Sequence, residues 1–248
     1  MTRFLILSVM AILPLLVKAE ASATEQETNI PLRAQIKAKE NSLISSEMNA
    51  RINQLKLHDG ERFTEGQTLV TFNCSLEEAQ LNKAKASLEK ALKNYEVKQR
   101  LEELKSISAL EVAVAKAEEG EARAEVQIAQ AVLSRCTIKA PFSGKVTDVI
   151  AKPYQTVKMG DPLLEILNDK SLEIEFMAES KNLSSLTVGK KFQVTINETG
   201  KTHAAEITRL GGKVDPVSQT IKVYGRITDK TDELLPGMSG AINLQAKP

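Results

Sequence analysis

Between Cys74 and Cys136 lies the stretch that most restricts what this chain can fold into. Residues 75–134 contain no proline and one glycine, Gly120, and are dominated by Ala, Leu, Glu, Lys and Gln. These residues lose the least side-chain freedom in a helix. Small apolar residues recur at alternating spacings of three and four. In the first half the row is Leu81, Ala84, Leu88, Ala91, Tyr95. In the second it is Leu110, Val114, Ala117, then Ala124, Ile128, Ala131, with Glu121 interrupting. Such rows turn one face of a helix to a partner, so two helices packed along each other are expected. The phase changes across Glu102–Ser108, where Ser106 and Ser108 favour a turn or a helix start. Ser108 with Glu111 has capping-box spacing. The expectation is an antiparallel hairpin with its tip at Lys105–Ser108 and arms of roughly 26–30 residues, about 40–45 Å long. One continuous helix is the alternative, but the segments flanking the stretch match each other and belong together.

The chain opens with Arg3, an apolar run from Phe4 to Val17, and small residues at Ala19-Glu20-Ala21 and Ala21-Ser22-Ala23. The run is short for a membrane span and has the layout of a secretory signal with a small-x-small cleavage site. Residues 1–23 are therefore expected to be a cleavable signal peptide, with retention as an anchor as the alternative. Cleavage removes Arg3, Lys18 and Glu20 and leaves acidic and basic residues in balance. With no basic aromatic patch, nothing directs the chain to nucleic acid. An exported chain with two cysteines is best read as holding one disulfide. A hairpin with its tip near residue 105 puts Cys74 and Cys136 level at its base. Closing that loop would stabilise by about 3–4 kcal/mol in the chain-entropy model. Two buried free thiols are the alternative.

Strand-like alternation flanks the hairpin. Ile52, Leu55, Leu57, Phe63, Leu69 and Phe72 alternate before it, with turns at Asp59-Gly60 and Glu65-Gly66. Shifted by 94 residues, Ile52 meets Val146, Leu55 meets Val149, Phe63 meets Val157, Gly66 meets Gly160, Leu69 meets Leu163 and Phe72 meets Ile166. Six matches at one offset indicate an internal repeat. Each copy exposes an apolar face, so two copies together form a small sandwich with the hairpin inserted between them. Beyond Ser171 come five or six short alternating segments, with turns at Glu198-Gly200, Gly211-Gly212, Asp215-Pro216 and Pro236-Gly237. That spacing suggests a small barrel.

The segments CTIKAPFSGKVTDV and VKMGDPLLEI resemble the second lipoyl-like half-motif of the periplasmic adaptor, or membrane fusion, family (HlyD-like), whose members bridge efflux and type I secretion systems. VDPVSQTIKVYGRI and LLPGMSGAINL resemble that family's β-barrel. The resemblance covers about residues 45–245. It implies an α+β chain, mainly β, with an antiparallel coiled-coil hairpin inserted between two halves of a lipoyl-like (barrel-sandwich) domain, followed by a small β-barrel. The expected boundaries are 24–44 for a leader and first strand, 45–73 for the first half and 74–136 for the hairpin. The second half then takes 137–168 and the barrel 169–248. The membrane-proximal domain of many members is expected to be absent or reduced.

By the same resemblance, the partners would be an inner-membrane transporter, an outer-membrane channel and further copies of the chain. The protein would work in the periplasm, peripheral to the inner membrane, without cofactor. Many pump adaptors carry at the tip an Arg, a Leu four residues later and a Ser seven beyond that. Arg100 and Leu104 keep the first spacing, but seven beyond Leu104 stands Glu111, and Ser108 arrives three residues early. The tip contacts implied are Arg100, Leu104 and Ser108, on a tip shortened by about one helical turn. A free-standing periplasmic scaffold is the competing reading.

Lipoyl-like modules also raise a covalent carrier. The turn that would hold the modified lysine is replaced by the helices, and Lys158-Met159 lies in a different turn. An enzyme has little to stand on: His58 and His203 sit in unlike contexts, and Ser143 in PFSGK fits a strand entry. The scattered methionines, Met48, Met159, Met177 and Met238, read as core filling rather than a metal site.

Overall fold

The computed structural model describes residues 32–229 and 233–244; the expected signal peptide lies outside them. Two β modules and one helical pair account for the described chain.

The first module is built from the repeat. One sheet runs β2 (Asn41–Ser45), β9 (Pro162–Leu167), β7 (Gly144–Val149), β4 (Arg62–Phe63). The other runs β6 (Thr137–Lys139), β5 (Thr68–Phe72), β3 (Ala50–Leu55), β8 (Thr156–Val157). The two halves exchange their short strands. β4 of the first half pairs with β7 of the second (Arg62 opposite Lys145), and β8 of the second pairs with β3 of the first (Ala50 opposite Val157). The turns cross over in the same way. Gly66 N–H donates to the Ala140 carbonyl at 2.9 Å, and Gly160 N–H to the Ser46 carbonyl at 2.8 Å. Gly60 and its counterpart Tyr154 both take left-handed backbone conformations, φ 82° and 67°. Neither half can satisfy its backbone alone, so the module closes only when both are present.

All the alternating apolar residues expected to face inward line this module's core. Ile52, Val70, Leu163, Leu164 and Ile166 are fully buried, and Val149 packs against them at the margin. Gly144 sits where β7 leaves the chain beside β9. A Cβ there would overlap the Leu167 carbonyl oxygen and lie 2.8 Å from its carbon.

The second module is a closed barrel in the order β1 (Leu32–Ala38), β10 (Leu172–Glu179), β13 (Thr220–Ile227), β12 (Thr202–Asp215), β11 (Lys191–Ile196), β14 (Ser239–Asn243). Phe176 and Phe192 meet edge-on in its core at 5.4 Å. β1 comes from the N-terminal side of the repeat and closes the barrel between β10 and β14. The sequence places residues 24–44 in a leader with a first strand and does not assign that strand to the barrel. Closure follows from edge chemistry: without β1, β10 and β14 would each present unpaired N–H and C=O groups.

Gly211-Gly212, expected as a turn, instead lies inside β12 at a register shift between Leu210 and Val214. The reversal comes at Asp215–Gln219. There the Asp215 carboxylate accepts from Ser218 N–H (2.9 Å), Ser218 Oγ (3.1 Å) and Val217 N–H (3.0 Å). These bonds, the Ser218 amide foremost, hold its pKa below the ordinary 3.8. A lowered folded pKa means the stabilisation is present above the unfolded value and is lost as pH falls through the folded one. In an NMR titration the Val217 and Ser218 amides should therefore move with a midpoint below 3.8. A midpoint at or above that value would contradict the capping role.

Between the halves stand α1 (Ser75–Glu103) and α2 (Ala109–Ser134). Glu77 and Glu78 in the first turn of α1 favour the helix dipole. α1 uses the expected row: Leu81 is buried, and Ala84, Leu88, Ala91 and Tyr95 are half-buried behind it. α2 does not. Its buried residues are Val112, Ala115, Ala122 and Val126, while Leu110 (73% exposed), Val114 and Ile128 (65%) face outward. Both rows have the same three-four spacing, and they lie on opposite faces of α2. The inward row is interrupted by Glu119, which pairs with Arg123, and this disguises it. Leu81→Ala should cost about 2–4 kcal/mol and Val126→Ala about 1–2 kcal/mol, but Ile128→Ala under about 0.5 kcal/mol. Urea titration checks this, and a cost at Ile128 equal to that at Val126 would contradict the packing.

Candidate functional site

The hairpin offers two places where chemistry concentrates: its root and its tip. At the root, Cys74 caps α1 and Cys136 follows the end of α2. Their sulfurs form a disulfide, with the Cα atoms 6.1 Å apart and both residues buried. Phe72 N–H donates to the Cys136 carbonyl at 2.9 Å, so the strand entering α1 and the chain leaving α2 are tied by backbone as well. Glu77 lies close enough for its carboxylate to be within 4.8 Å of both sulfurs, and Met48 Sδ is 4.0 Å from Cys74 Sγ. As a disulfide the sulfurs present no thiolate, so the cluster is a covalent staple rather than a ligand set.

At the tip, Leu104 ends α1 and Lys105 takes a left-handed conformation (φ 56°), the usual way for a helix to stop. Ser108 caps α2 by accepting from Glu111 N–H at 3.4 Å. The Glu111 carboxylate pairs with Lys98 Nζ across the hairpin at 2.9 Å. That bond, with a smaller contribution from the Ser108 amide, lowers the Glu111 pKa. Arg100 and Leu104 lie one helical turn apart on the outer surface of α1, and Leu104 is 74% exposed. Of the three expected tip residues, Arg100 and Leu104 thus share a solvent-facing surface, and Ser108 is occupied as a cap.

Along the hairpin, Asn94 donates to Glu118 at 3.3 Å. An open polar groove of ≈ 330 Å³ runs between Ser87, Lys90 and Asn94 on α1 and Glu118, Glu121 and Glu125 on α2. Sequence spacing did not reveal the Lys98–Glu111 and Asn94–Glu118 ties, because they depend on the phase of α2.

Helical pair, interlocked two-sheet root and six-stranded barrel recur together in solved structures. The membrane fusion protein Spr0693 of Streptococcus pneumoniae superposes with a TM-score of 0.75 at 18% identity, covering 88% of this chain and 100% of the other. A MacA–MexA chimera containing the Pseudomonas aeruginosa MexA α-hairpin domain also gives 0.75 at 18% identity, over 86% of this chain and 80% of that one. This chain has the membrane fusion protein fold. No family model matches the sequence. Two curated relatives, both uncharacterized proteins, are 23% identical over 211 residues (Haemophilus influenzae) and 27% over 182 residues (YdhJ of Escherichia coli). The alignments take in 84% and 68% of this chain, but only 55% and 64% of those relatives. Within the membrane fusion protein fold, no described helix is long and apolar enough to cross a membrane. His58, bonded to Glu61 at 3.1 Å, and buried His203 lie in different modules.

Proposed function

We propose that this protein is the periplasmic adaptor subunit of a tripartite efflux or secretion system, bridging an inner-membrane transporter and an outer-membrane channel. The observation that carries the reading is the hairpin itself. An arm of 29 residues on α1, with Leu104 bare at its end, stands on a root locked by a disulfide. At 1.5 Å per residue it reaches about 40 Å from that root. A long helical pair with a bare apolar end suits contact at a distance rather than catalysis. The barrel would rest toward the transporter, peripheral to the membrane, and the tip toward the channel, with Arg100 and Leu104 as contacts. Several copies side by side would surround the export path.

The test is co-purification. The full chain carrying a C-terminal tag is expressed in its host, cross-linked in cells and recovered from solubilised envelopes. Recovery of both a polytopic inner-membrane transporter and an outer-membrane channel supports the adaptor. Recovery of neither would favour a free-standing periplasmic scaffold.

A further inference from the structure

The root staple is a bond between two sulfurs, and further ligand atoms crowd it. Met48 Sδ stands 4.0 Å from Cys74 Sγ, and the Glu77 carboxylate comes within 4.8 Å of both cysteine sulfurs. The chain brings these groups together from three places: the turn between β2 and β3, the start of α1 and the exit of α2. The turn that carries Met48 is anchored. Buried Ser46 donates through its hydroxyl to the Met48 carbonyl at 2.7 Å, and the Asn49 side chain accepts from Met159 N–H at 2.9 Å. Cys74 occupies the N-cap of α1 without making a side-chain cap bond, so the helix dipole favours negative charge on its sulfur. A methionine beside a disulfide can be simple packing, but the spacing here says more. Three sulfurs held at about 2.3 Å from one ion, at the corners of a triangle, lie about 4 Å apart. Met48 and Cys74 already stand at that separation. With Cα atoms 6.1 Å apart, the two cysteines have room for their sulfurs to part to the same distance.

We propose that the root, once its disulfide is reduced, binds one cuprous ion through Cys74 Sγ, Cys136 Sγ and Met48 Sδ. Two thiolates and a thioether are soft donors, the kind of set that selects Cu(I). Zinc sites draw instead on thiolate, imidazole and carboxylate, which here would bring in Glu77 and leave Met48 out. Two thiolates with one cuprous ion carry a single negative charge, and the N-terminus of α1 offsets it. Reduction is thiol–disulfide exchange with a small thiol or dithiol. A thiolate attacks one cysteine sulfur, forming a mixed disulfide and freeing the other cysteine. A second thiol attacks the mixed disulfide and leaves as the oxidised reductant. Two electrons pass from the reductant to the sulfur–sulfur bond, and two protons end on Cys74 and Cys136. Binding of the ion then releases those protons to solvent. The metal thereby replaces the covalent staple, joining the same two sulfurs through an ion instead of directly. Half-buried Met48 and Glu77 border the buried cysteines and give the ion its way in. The inference stands on the root alone and does not depend on the adaptor reading.

The test is an anaerobic competition between the full chain, reduced with dithiothreitol and then freed of it, and the coloured complex of Cu(I) with bicinchoninate. The reduced chain should strip one cuprous ion from the chelator, and the disulfide form none. Cys74→Ser with Cys136→Ser should abolish uptake. Met48→Leu, a volume-conserving change, should weaken it by about tenfold or more, the loss usual even for a group that only supports a ligand. Glu77→Gln should leave it within about twofold, because a carboxylate suits harder ions. Circular dichroism confirms that the variants stay folded. X-ray absorption at the copper edge needs no variant and should find three sulfurs around the ion. Hydrogen exchange at residues 72–76 and 134–138 should quicken on reduction and slow again when Cu(I) is added. No uptake by the reduced chain, equal uptake by the disulfide form, or an oxygen ligand on copper would overturn the proposal. So would a reduced root that takes Zn(II) but not Cu(I), or one whose uptake needs Glu77 and ignores Met48.

Discussion

Gly144→Ala is expected to unfold the two-sheet root. A Cβ at this position would overlap the Leu167 carbonyl oxygen and crowd its carbon at 2.8 Å and the Asn168 Cα at 3.2 Å. All three obstacles are backbone, so no side-chain rotation relieves the clash. The backbone at Leu167 cannot retreat either, because it is opposite Lys145 on β7 and Asn41 on β2. Overpacking a core usually costs about 1–3 kcal/mol. With only main chain to yield, the loss here should exceed about 4 kcal/mol, a large share of what a domain of this size possesses. Urea denaturation followed by far-ultraviolet circular dichroism would show a collapsed midpoint or an insoluble product. A midpoint within error of the wild type would mean that the junction of β7 and β9 is not packed as described.

The second large effect concerns the staple. Cys74 and Cys136 are separated by 62 residues, and their bond closes a loop around the whole hairpin. In the chain-entropy model a loop of that length stabilises by about 4 kcal/mol. Cys74→Ser with Cys136→Ser should lose most of that. The loss should fall on the root, because the helices keep their own contacts at Leu81, Ala115, Ala122 and Val126. Hydrogen exchange should accordingly quicken at residues 72–76 and 134–138 before it quickens at mid-hairpin. Equal exchange in the two forms, together with an unchanged denaturation midpoint, would show that the backbone bond from Phe72 to Cys136 holds the root without the disulfide. The functional corollary, that a fixed root carries movement from the barrel to the tip, fails if transport is unaffected in the double variant.

How far the sequence could be read differs by element, and the differences have physical causes. The root was legible because a period of two, left-handed turn glycines and a constant offset all point the same way, from Ile52 and Val146 to Gly66 and Gly160. The hairpin tip was legible because Ser108 and Glu111 have one use at that spacing. The phase of α2 was not. Two rows share one period on opposite faces, and the outward one contains the larger residues, Leu110, Val114 and Ile128, whereas the inward one carries alanines and Glu119. Larger apolar residues attract attention as core, but close helix pairing selects small ones where two backbones approach. β1 was not assigned to the barrel because its partners, β10 and β14, lie far along the chain and no local signal links Leu32–Ala38 to them. Gly211-Gly212 reads as a turn by composition, but strand β12 uses it to bend: a Cβ on Gly211 would lie 3.1 Å from the Lys222 carbonyl oxygen of the neighbouring strand. At the tip, both the Arg100–Leu104 spacing and the Ser108–Glu111 cap were visible, and the bond from Glu111 N–H to Ser108 Oγ agrees with the second.

The proposed adaptor role requires the end of the hairpin to touch an outer-membrane channel while the rest of the chain serves a transporter. A photoreactive amino acid at position 104, activated in living cells and followed by purification and mass spectrometry, probes that contact. Covalent capture of an outer-membrane channel protein, with an inner-membrane transporter co-purifying, is expected. Capture confined to other copies of this chain or to soluble periplasmic proteins would contradict it.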